Sequence, residues 1–143
     1  MVASMKINSS HFSRQVRAEL SQIEELCGDL KTLLNENNLS QISFCCELLL
    51  REAFNNAVLH GAKNDIRQKI LVEANCTPEF VILSIEDEGL GFDWQKLKKL
   101  PMADYTATSG RGISLCKCYA SKVEFNAKGN RVTLQISTTS TPS

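Results

Sequence analysis

The chain has 143 residues, the size of a compact domain with one hydrophobic core, and we expect residues 1–143 to form a single domain. Its 16 lysines and arginines balance its 16 aspartates and glutamates, so no overall field draws it directly to nucleic acid or to an acidic membrane surface. No apolar run approaches the roughly 18–20 residues that span a bilayer, so we expect no membrane partner.

The N-terminal part of the sequence predicts two helices. Apolar residues recur every three or four positions over residues 12–39, which predicts one long amphipathic helix. Residues 35–38 (N-E-N-N) break this pattern, and Ser40 is a suitable N-cap for a second helix that runs to His60. Gly61 follows at the position where a glycine commonly ends a helix.

After Gly61 the apolar period changes to two, which predicts strands. The alternating segments are 69–74, 81–86, 122–127 and 131–136. Between the second and third strands we expect a short helix over 93–100, a polar stretch over 101–109 and a helix over 112–119. The expected fold is α+β, a two-layer α/β sandwich whose mixed, mostly antiparallel sheet is covered by helices on one face. Residues 138–143 are expected to form a flexible tail.

The six cysteines form no C-x-x-C pair and no spaced disulfide framework, which favours a reducing compartment, the cytoplasm. They lie in apolar, periodic segments and are interpreted as small buried hydrophobic residues. A zinc site made by Cys116, Cys118 and His60 is the weaker alternative, because structural zinc sites favour ligand pairs two to four residues apart on each arm.

Two polar residues of the second helix lie on its apolar side. On a helical wheel Asn56 falls near Glu52 in the apolar stripe, whereas Glu47 and Arg51 lie on the opposite, solvated side. A carboxylate in an apolar stripe is costly unless a metal, water or partner compensates it. Glu52 is therefore a candidate functional residue. The structural alternative is a glutamate at the edge of the core, or one paired with a lysine or arginine elsewhere.

Two glycine turns follow in the second half of the chain. Asp87 continues the inward face of its strand and precedes Gly89 and Gly91, which let the backbone turn sharply and approach a ligand. An ordinary hairpin or loop explains this pattern equally well. Residues 110–112 (G-R-G) open a predicted helix whose first N–H groups suit a phosphate. The P-loop and dinucleotide-binding glycine motifs are both missing from the sequence, so a nucleotide here would bind by another scheme.

Three segments in this order resemble the N, G1 and G2 boxes of the GHKL ATPase superfamily. They are 52–61 (E-A-F-N-N-A-V-L-H-G), 87–92 (D-E-G-L-G-F) and 110–112 (G-R-G). Within that superfamily, which includes gyrase, heat-shock protein 90 and histidine kinases, the sequence resembles the stand-alone anti-sigma factor serine/threonine kinases. The form of the first box and the ending S-K-V-E-F-N-A-K-G-N-R-V-T-L carry this resemblance. It covers residues 12–136 and implies the Bergerat fold.

The resemblance implies a role for each matching position. Glu52 would be the general base that takes a proton from an attacking hydroxyl, and Asn56 would hold Mg²⁺ through its amide oxygen. Asp87 would accept a hydrogen bond from the adenine amino group. The other residues expected to contact ATP or ADP are His60, Gly89, Gly91, Phe92, Gly110, Arg111 and Gly112. Residues 101–109 would form a mobile lid. His60 has an equal structural alternative as a histidine near a helix C-terminus.

The sequence departs from the family pattern in two places. The family often begins with a short strand, whereas the helical period from residue 12 argues against an edge strand at residues 5–8. The polar stretch 101–109 contains no lysine or arginine, which leaves Arg111 as the nearby cation for the phosphates.

The resemblance also implies partners. The leading hypothesis is a protein kinase that phosphorylates a serine of a STAS-type anti-sigma antagonist and also sequesters a sigma factor or another regulator. A nucleotide-dependent sequestering module with negligible transfer is one alternative. The ATPase domain of a histidine-kinase system is another, and we expect it less because no dimerisation helix with a phosphoacceptor histidine precedes the domain. Outward Leu71 and Ile82 indicate either a sheet-mediated homodimer or burial under the first helix.

Overall fold

The structure is a computed structural model that describes residues 4–8, 10–89 and 120–139. The described residues form one six-stranded antiparallel sheet in the order β1-β2-β3-β4-β6-β5. The strands are β1 Ser4–Asn8, β2 His11–Arg17, β3 Lys69–Cys76, β4 Phe80–Asp87, β5 Ala120–Phe125 and β6 Arg131–Ser137. The helices are α1 Ile23–Glu36 and α2 Ser43–Asn56, with 3₁₀ turns at Leu20–Gln22 and Ser40–Ile42 and a π turn at Ala57–Gly61.

The hydrophobic core lies between the sheet and the helix pair. Alternate residues of β3 and β4 are fully buried, as their period of two predicts. The largest buried side chains are Phe12, Phe54, Leu26, Leu30, Leu33, Leu34, Leu49, Leu50, Ile70, Leu83 and Ile85. Each contributes roughly 1.5–3 kcal/mol when fully removed from water. The two-layer α+β architecture is confirmed.

The prediction of a helix over residues 12–39 is wrong at its N-terminal end. Residues His11–Arg17 form β2, which pairs with β3 so that Phe12 lies opposite Ala74, and α1 begins only at Ile23. The alternation of β2 is hard to see because the middle inward position is occupied by a charged residue, Arg14. Pairing with β3 satisfies the backbone polar groups of this segment, and it overrides the local helical period.

Arg14 is 5% exposed and lies on the core side of β2. Its guanidinium donates to Glu25 at 2.7 Å and to Asp29 at 2.6 Å, both on α1. A buried charge without such partners would be strongly destabilising. The ion pairs therefore make an inward arginine tolerable and fix α1 over β2.

β1 is an edge strand of the sheet, paired with β2 so that Ile7 lies opposite Phe12. The expectation that no strand forms at residues 5–8 is therefore wrong. At the other end of the chain the last two expected strands form, as β5 and β6, and they pair with each other antiparallel.

The outer face of the sheet carries Leu71 and Ile82, which lie half-buried on the side away from the helices. Their alternative position under the first helix is excluded. On the same face Arg131 pairs with Glu73 at 3.1 Å and with Glu86 at 3.4 Å. A sheet-mediated homodimer stays a prediction.

Several expectations fall on residues 90–119 and 140–143, which lie outside the described residues. They are the helices at 93–100 and 112–119, the lid at 101–109 and most of the tail. Thr138 precedes the undescribed end of the tail, and its N–H donates to Glu79 O at 3.0 Å.

None of the described cysteines forms a disulfide. Cys27, Cys45 and Cys46 are buried and Cys76 is half-buried. Burial raises the pKa of the Cys27 thiol to about 11, which makes it unreactive near neutral pH. Within the described ranges no group of histidine, cysteine and acidic side chains could hold a metal, and Cys116 and Cys118 lie outside those ranges. None of the helices described is long and apolar enough to cross a membrane.

Candidate functional site

Helix α2 ends in a wider π turn. The N–H of Ala62 donates to Ala57 O at 2.8 Å, five residues back, and the N–H of Asn64 donates to Val58 O at 2.8 Å. The left-handed residues after this turn are Lys63 and Asn64, with φ angles of 53° and 60°. The expectation that Gly61 supplies the helix stop is therefore wrong, because the chain reverses two residues later. π turns inside helices are frequent at functional sites.

Gly61 has a different role, because the end of β4 packs directly against it. A Cβ at position 61 would overlap Oδ2 and Cγ of Asp87, and a Cβ at position 89 would overlap the carbonyl oxygen of Gly61. The end of α2 and the turn after β4 therefore fit together only where neither glycine carries a side chain. This contact brings the helix residues of the site to the end of the sheet.

Gly61→Ala should disturb this contact. We expect it to destabilise the protein by about 1–3 kcal/mol, because the added methyl group must displace the Asp87 carboxylate in a packed region. Urea unfolding of wild type and variant measures the difference.

Gly28→Ala is the matched control, since a Cβ at this α1 position has no atom within 4 Å. It should stabilise the protein by about 0.5–1 kcal/mol through helix propensity. If both variants change the free energy of unfolding equally, packing of Gly61 against Asp87 does not contribute to stability.

Asp87 is the last residue of β4 and points to the helix side, with 6% of its surface exposed. Its Oδ1 accepts the Gly89 N–H at 2.7 Å. Burial raises the pKa of the Asp87 carboxyl, and the Gly89 N–H opposes this shift by stabilising the charged form. A buried carboxylate held in this way offers a well-oriented acceptor to a ligand that brings its own hydrogen-bond donor.

A cavity lies between α2 and the end of the sheet. It is lined by Ala53, Asn56, Ala57, Gly61, Ile85, Asp87, Phe125, Gly129, Asn130, Arg131 and Val132. The structure thus brings Asn56 of the helix and Asp87 of the sheet to one cavity, although they are 31 positions apart in the sequence. Its wall also includes the turn between β5 and β6, which no sequence motif had indicated as part of the site.

Glu52 lies one helical turn before Asn56 and is half-buried. Its Oε2 is buried and has no hydrogen-bond partner among the described residues. Loss of hydration raises the pKa of the Glu52 carboxyl. A carboxylate oxygen left without a partner in a protein interior is unfavourable for folding, and such groups are concentrated at functional sites.

The remaining predicted site residues divide into three groups. Gly89 belongs to the contact with Gly61 described above. His60 is exposed and does not line the described part of the cavity. The other predicted contacts, Gly91, Phe92, Gly110, Arg111 and Gly112, lie outside the described residues.

Asn126 and Asn130, the two asparagines of the β5–β6 turn, were not predicted as site residues from the sequence. Asn126 Oδ1 accepts the N–H groups of Gly129 at 2.8 Å and Asn130 at 3.0 Å. Gly129 has a φ of 82°, the left-handed conformation that glycine permits. The signal available in the sequence was the spacing N-A-K-G-N, in which an asparagine side chain can organise a turn.

The described residues form an antiparallel sheet with helices on one face. A cavity lies between α2, which carries Glu52, and the inward Asp87 at the end of β4. Together these features define a two-layer α+β domain of the Bergerat type. The chain belongs to the family of histidine kinase-like ATPase domains, whose family model matches residues 16–136. It is also similar to the anti-sigma F factor of Clostridium perfringens (strain SM101 / Type A), with 25% identity over 87 residues. That match covers 57% of this chain and 61% of the relative, less than two thirds of its length.

Proposed function

We propose that the protein binds ATP and ADP with Mg²⁺ and acts as a serine/threonine protein kinase on a STAS-type anti-sigma antagonist, while also sequestering a sigma factor or another regulator. The observation that carries the proposal is the buried Oε2 of Glu52, which has no hydrogen-bond partner in the described part of the chain and lies one turn from an asparagine that lines the same cavity as Asp87. Similarity to an anti-sigma F factor supports the choice of partners.

The residues around the cavity suit an adenine nucleotide. Asp87 is an acceptor whose Oδ1 is already occupied by the Gly89 N–H, which leaves Oδ2 for the amino group of the base. Oδ2 packs against Gly61 in the place that a side chain at position 61 would take, so the missing Cβ lets the acid lie in the cavity wall. A purine without an amino group at this position would leave the buried acceptor unsatisfied.

The helix side of the cavity suits the phosphate chemistry. Asn56 offers an amide oxygen, the kind of ligand that Mg²⁺ accepts beside phosphate oxygens. When bound, the ion would neutralise the charge of the triphosphate. Glu52 would act as the general base one turn earlier on the helix.

The step that Glu52 assists is transfer of the γ-phosphoryl group. The serine oxygen of the partner forms a bond to the γ-phosphorus, and the bond from that phosphorus to the β–γ bridging oxygen breaks, which releases ADP. The serine proton passes to the Glu52 carboxylate. Because burial raises the pKa of Glu52, its carboxylate is a stronger base than a hydrated one.

Isothermal titration calorimetry of Asp87→Asn tests base recognition. We expect the variant to bind ATP more weakly by roughly 1–3 kcal/mol, because the amide presents a donor or a weaker acceptor to the adenine amino group. GTP binding should change less. The matched control is Glu88→Gln, which alters the adjacent exposed acid. Equal losses for ATP and GTP would contradict adenine recognition by Asp87.

A further inference from the structure

The β5–β6 turn holds both main-chain polar groups of Asp87. The regular β4–β6 ladder ends at the pair Glu86 and Arg131. One position further, the Asp87 N–H donates to the main-chain oxygen of Asn130 at 2.9 Å. The side chain of Asn130 completes the pair, since its Nδ2 donates to the main-chain oxygen of Asp87 at 2.7 Å.

Asn130 is itself held in one orientation. It is 9% exposed, and its Oδ1 accepts the Nδ2 of Asn126 at 2.7 Å. This bond determines which end of the Asn130 amide faces Asp87, because the oxygen is occupied and the nitrogen remains to donate. Asn126 in turn uses its own oxygen to accept main-chain N–H groups of the turn, at 3.0 Å for Asn130 and 3.2 Å for Arg131.

Two neighbours restrain the Asp87 side chain. Its Oδ1 accepts the Gly89 N–H, and its Oδ2 packs against Gly61, in the place that a Cβ at position 61 would take. Both contacts depend on where the main chain of Asp87 lies, and Asn130 clamps that main chain on both sides. Hydrogen bonds weaken steeply as their angle departs from linearity, so a rotation of this strand end would weaken a bond from Oδ2 to a ligand.

We infer that Asn130 is a positioning residue for base selection: by clamping the main chain of Asp87 it aims the carboxylate at the amino group of adenine. The inference rests on the proposed binding of ATP. Asn130 acts on the nucleotide through Asp87, and Asn126 holds the Asn130 amide in its orientation.

Dissociation constants for ATP and for inosine triphosphate, which lacks the amino group, test the inference. Asn130→Ala should weaken ATP binding about fivefold to tenfold, the effect of a typical hydrogen bond, and change inosine triphosphate binding little. The double variant Asp87→Asn/Asn130→Ala should bind ATP no more weakly than Asp87→Asn alone, because both changes remove one interaction. The control is Asn75→Ala, an exposed asparagine of β3, which should alter neither constant.

The ratio of the two constants separates positioning from general loss of structure. An equal loss for both nucleotides, an unchanged ratio, or additive losses in the double variant would overturn the role of Asn130 while leaving Asp87 as the recognition residue. A wild-type protein that binds neither nucleotide would overturn the proposed function as well, and this is seen before any variant is made. If Asn130→Ala does not fold, Asn130→Ser serves instead, since its shorter side chain also fails to reach Asp87 O.

Discussion

Phosphate transfer from γ-labelled ATP to a STAS-type partner should fall by about 10²–10⁴-fold in Glu52→Gln, the usual contribution of a general base. The amide keeps the shape of the side chain but cannot take the serine proton. Nucleotide affinity and partner binding should stay close to wild type, because the change affects only the proton-transfer step. The fold should also tolerate the change, since a neutral amide costs less to bury than a carboxylate whose Oε2 has no partner among the described residues.

The matched control is Glu47→Gln on the opposite side of the same helix. Glu47 accepts a hydrogen bond from Ser43 at 2.8 Å and has no place in the proposed chemistry, so transfer should be unaffected. If wild type and Glu52→Gln bind the partner equally and both show negligible transfer, the kinase proposal is wrong and a nucleotide-dependent sequestering module replaces it.

The pH dependence of transfer gives a second measurement of the same residue. Only ionised Glu52 can accept the proton, so the rate should rise with pH through a folded-state pKa that lies above the ordinary value of 4.5. The free energy of unfolding depends on pH in the opposite direction. Because burial raises the folded-state pKa, the contribution of Glu52 to folding is greatest at low pH and is lost as pH rises through that pKa. A rate that is flat across this range would contradict the assignment.

Asn56→Ala should abolish the Mg²⁺ dependence of ATP binding and reduce transfer by about 10³-fold, since a metal contributes several kcal/mol of charge stabilisation in the transition state. The structural basis is the position of Asn56 in the cavity wall, four residues after Glu52. Calorimetry with ATP in excess Mg²⁺ and in excess chelator measures the effect directly.

Asn55→Ala is the control for Asn56→Ala, because Asn55 is the adjacent asparagine of α2 and does not line the described part of the cavity. Wild type and Asn55→Ala should bind ATP more tightly with Mg²⁺ than without it, whereas Asn56→Ala should show one affinity in both conditions. Retention of the Mg²⁺ effect in Asn56→Ala would assign the metal to other ligands and leave base recognition by Asp87 untouched.

Much of the fold could be predicted from patterns among residues that are close in the sequence. Alternation over β3 and β4 predicts buried strands because side chains of a strand point to opposite faces in turn. The same rule orients Asp87 inward, and the helical wheel places Glu52 and Asn56 on one side of α2. These features depend only on residues close in sequence, so they could be read without knowing what packs against them. The family match to residues 16–136 agrees with the fold that these patterns predict.

Tertiary structure decided the features that depend on residues distant in sequence. β2 is a strand because β3 supplies its hydrogen bonds and α1 supplies acids for Arg14, and neither fact is visible in the period of residues 12–39. Gly61 faces Asp87 from 26 positions away, and Asn130 holds it from 43 positions away. A local pattern carries no information about such contacts, because they form only when the helix end, β4 and the β5–β6 turn meet around the cavity.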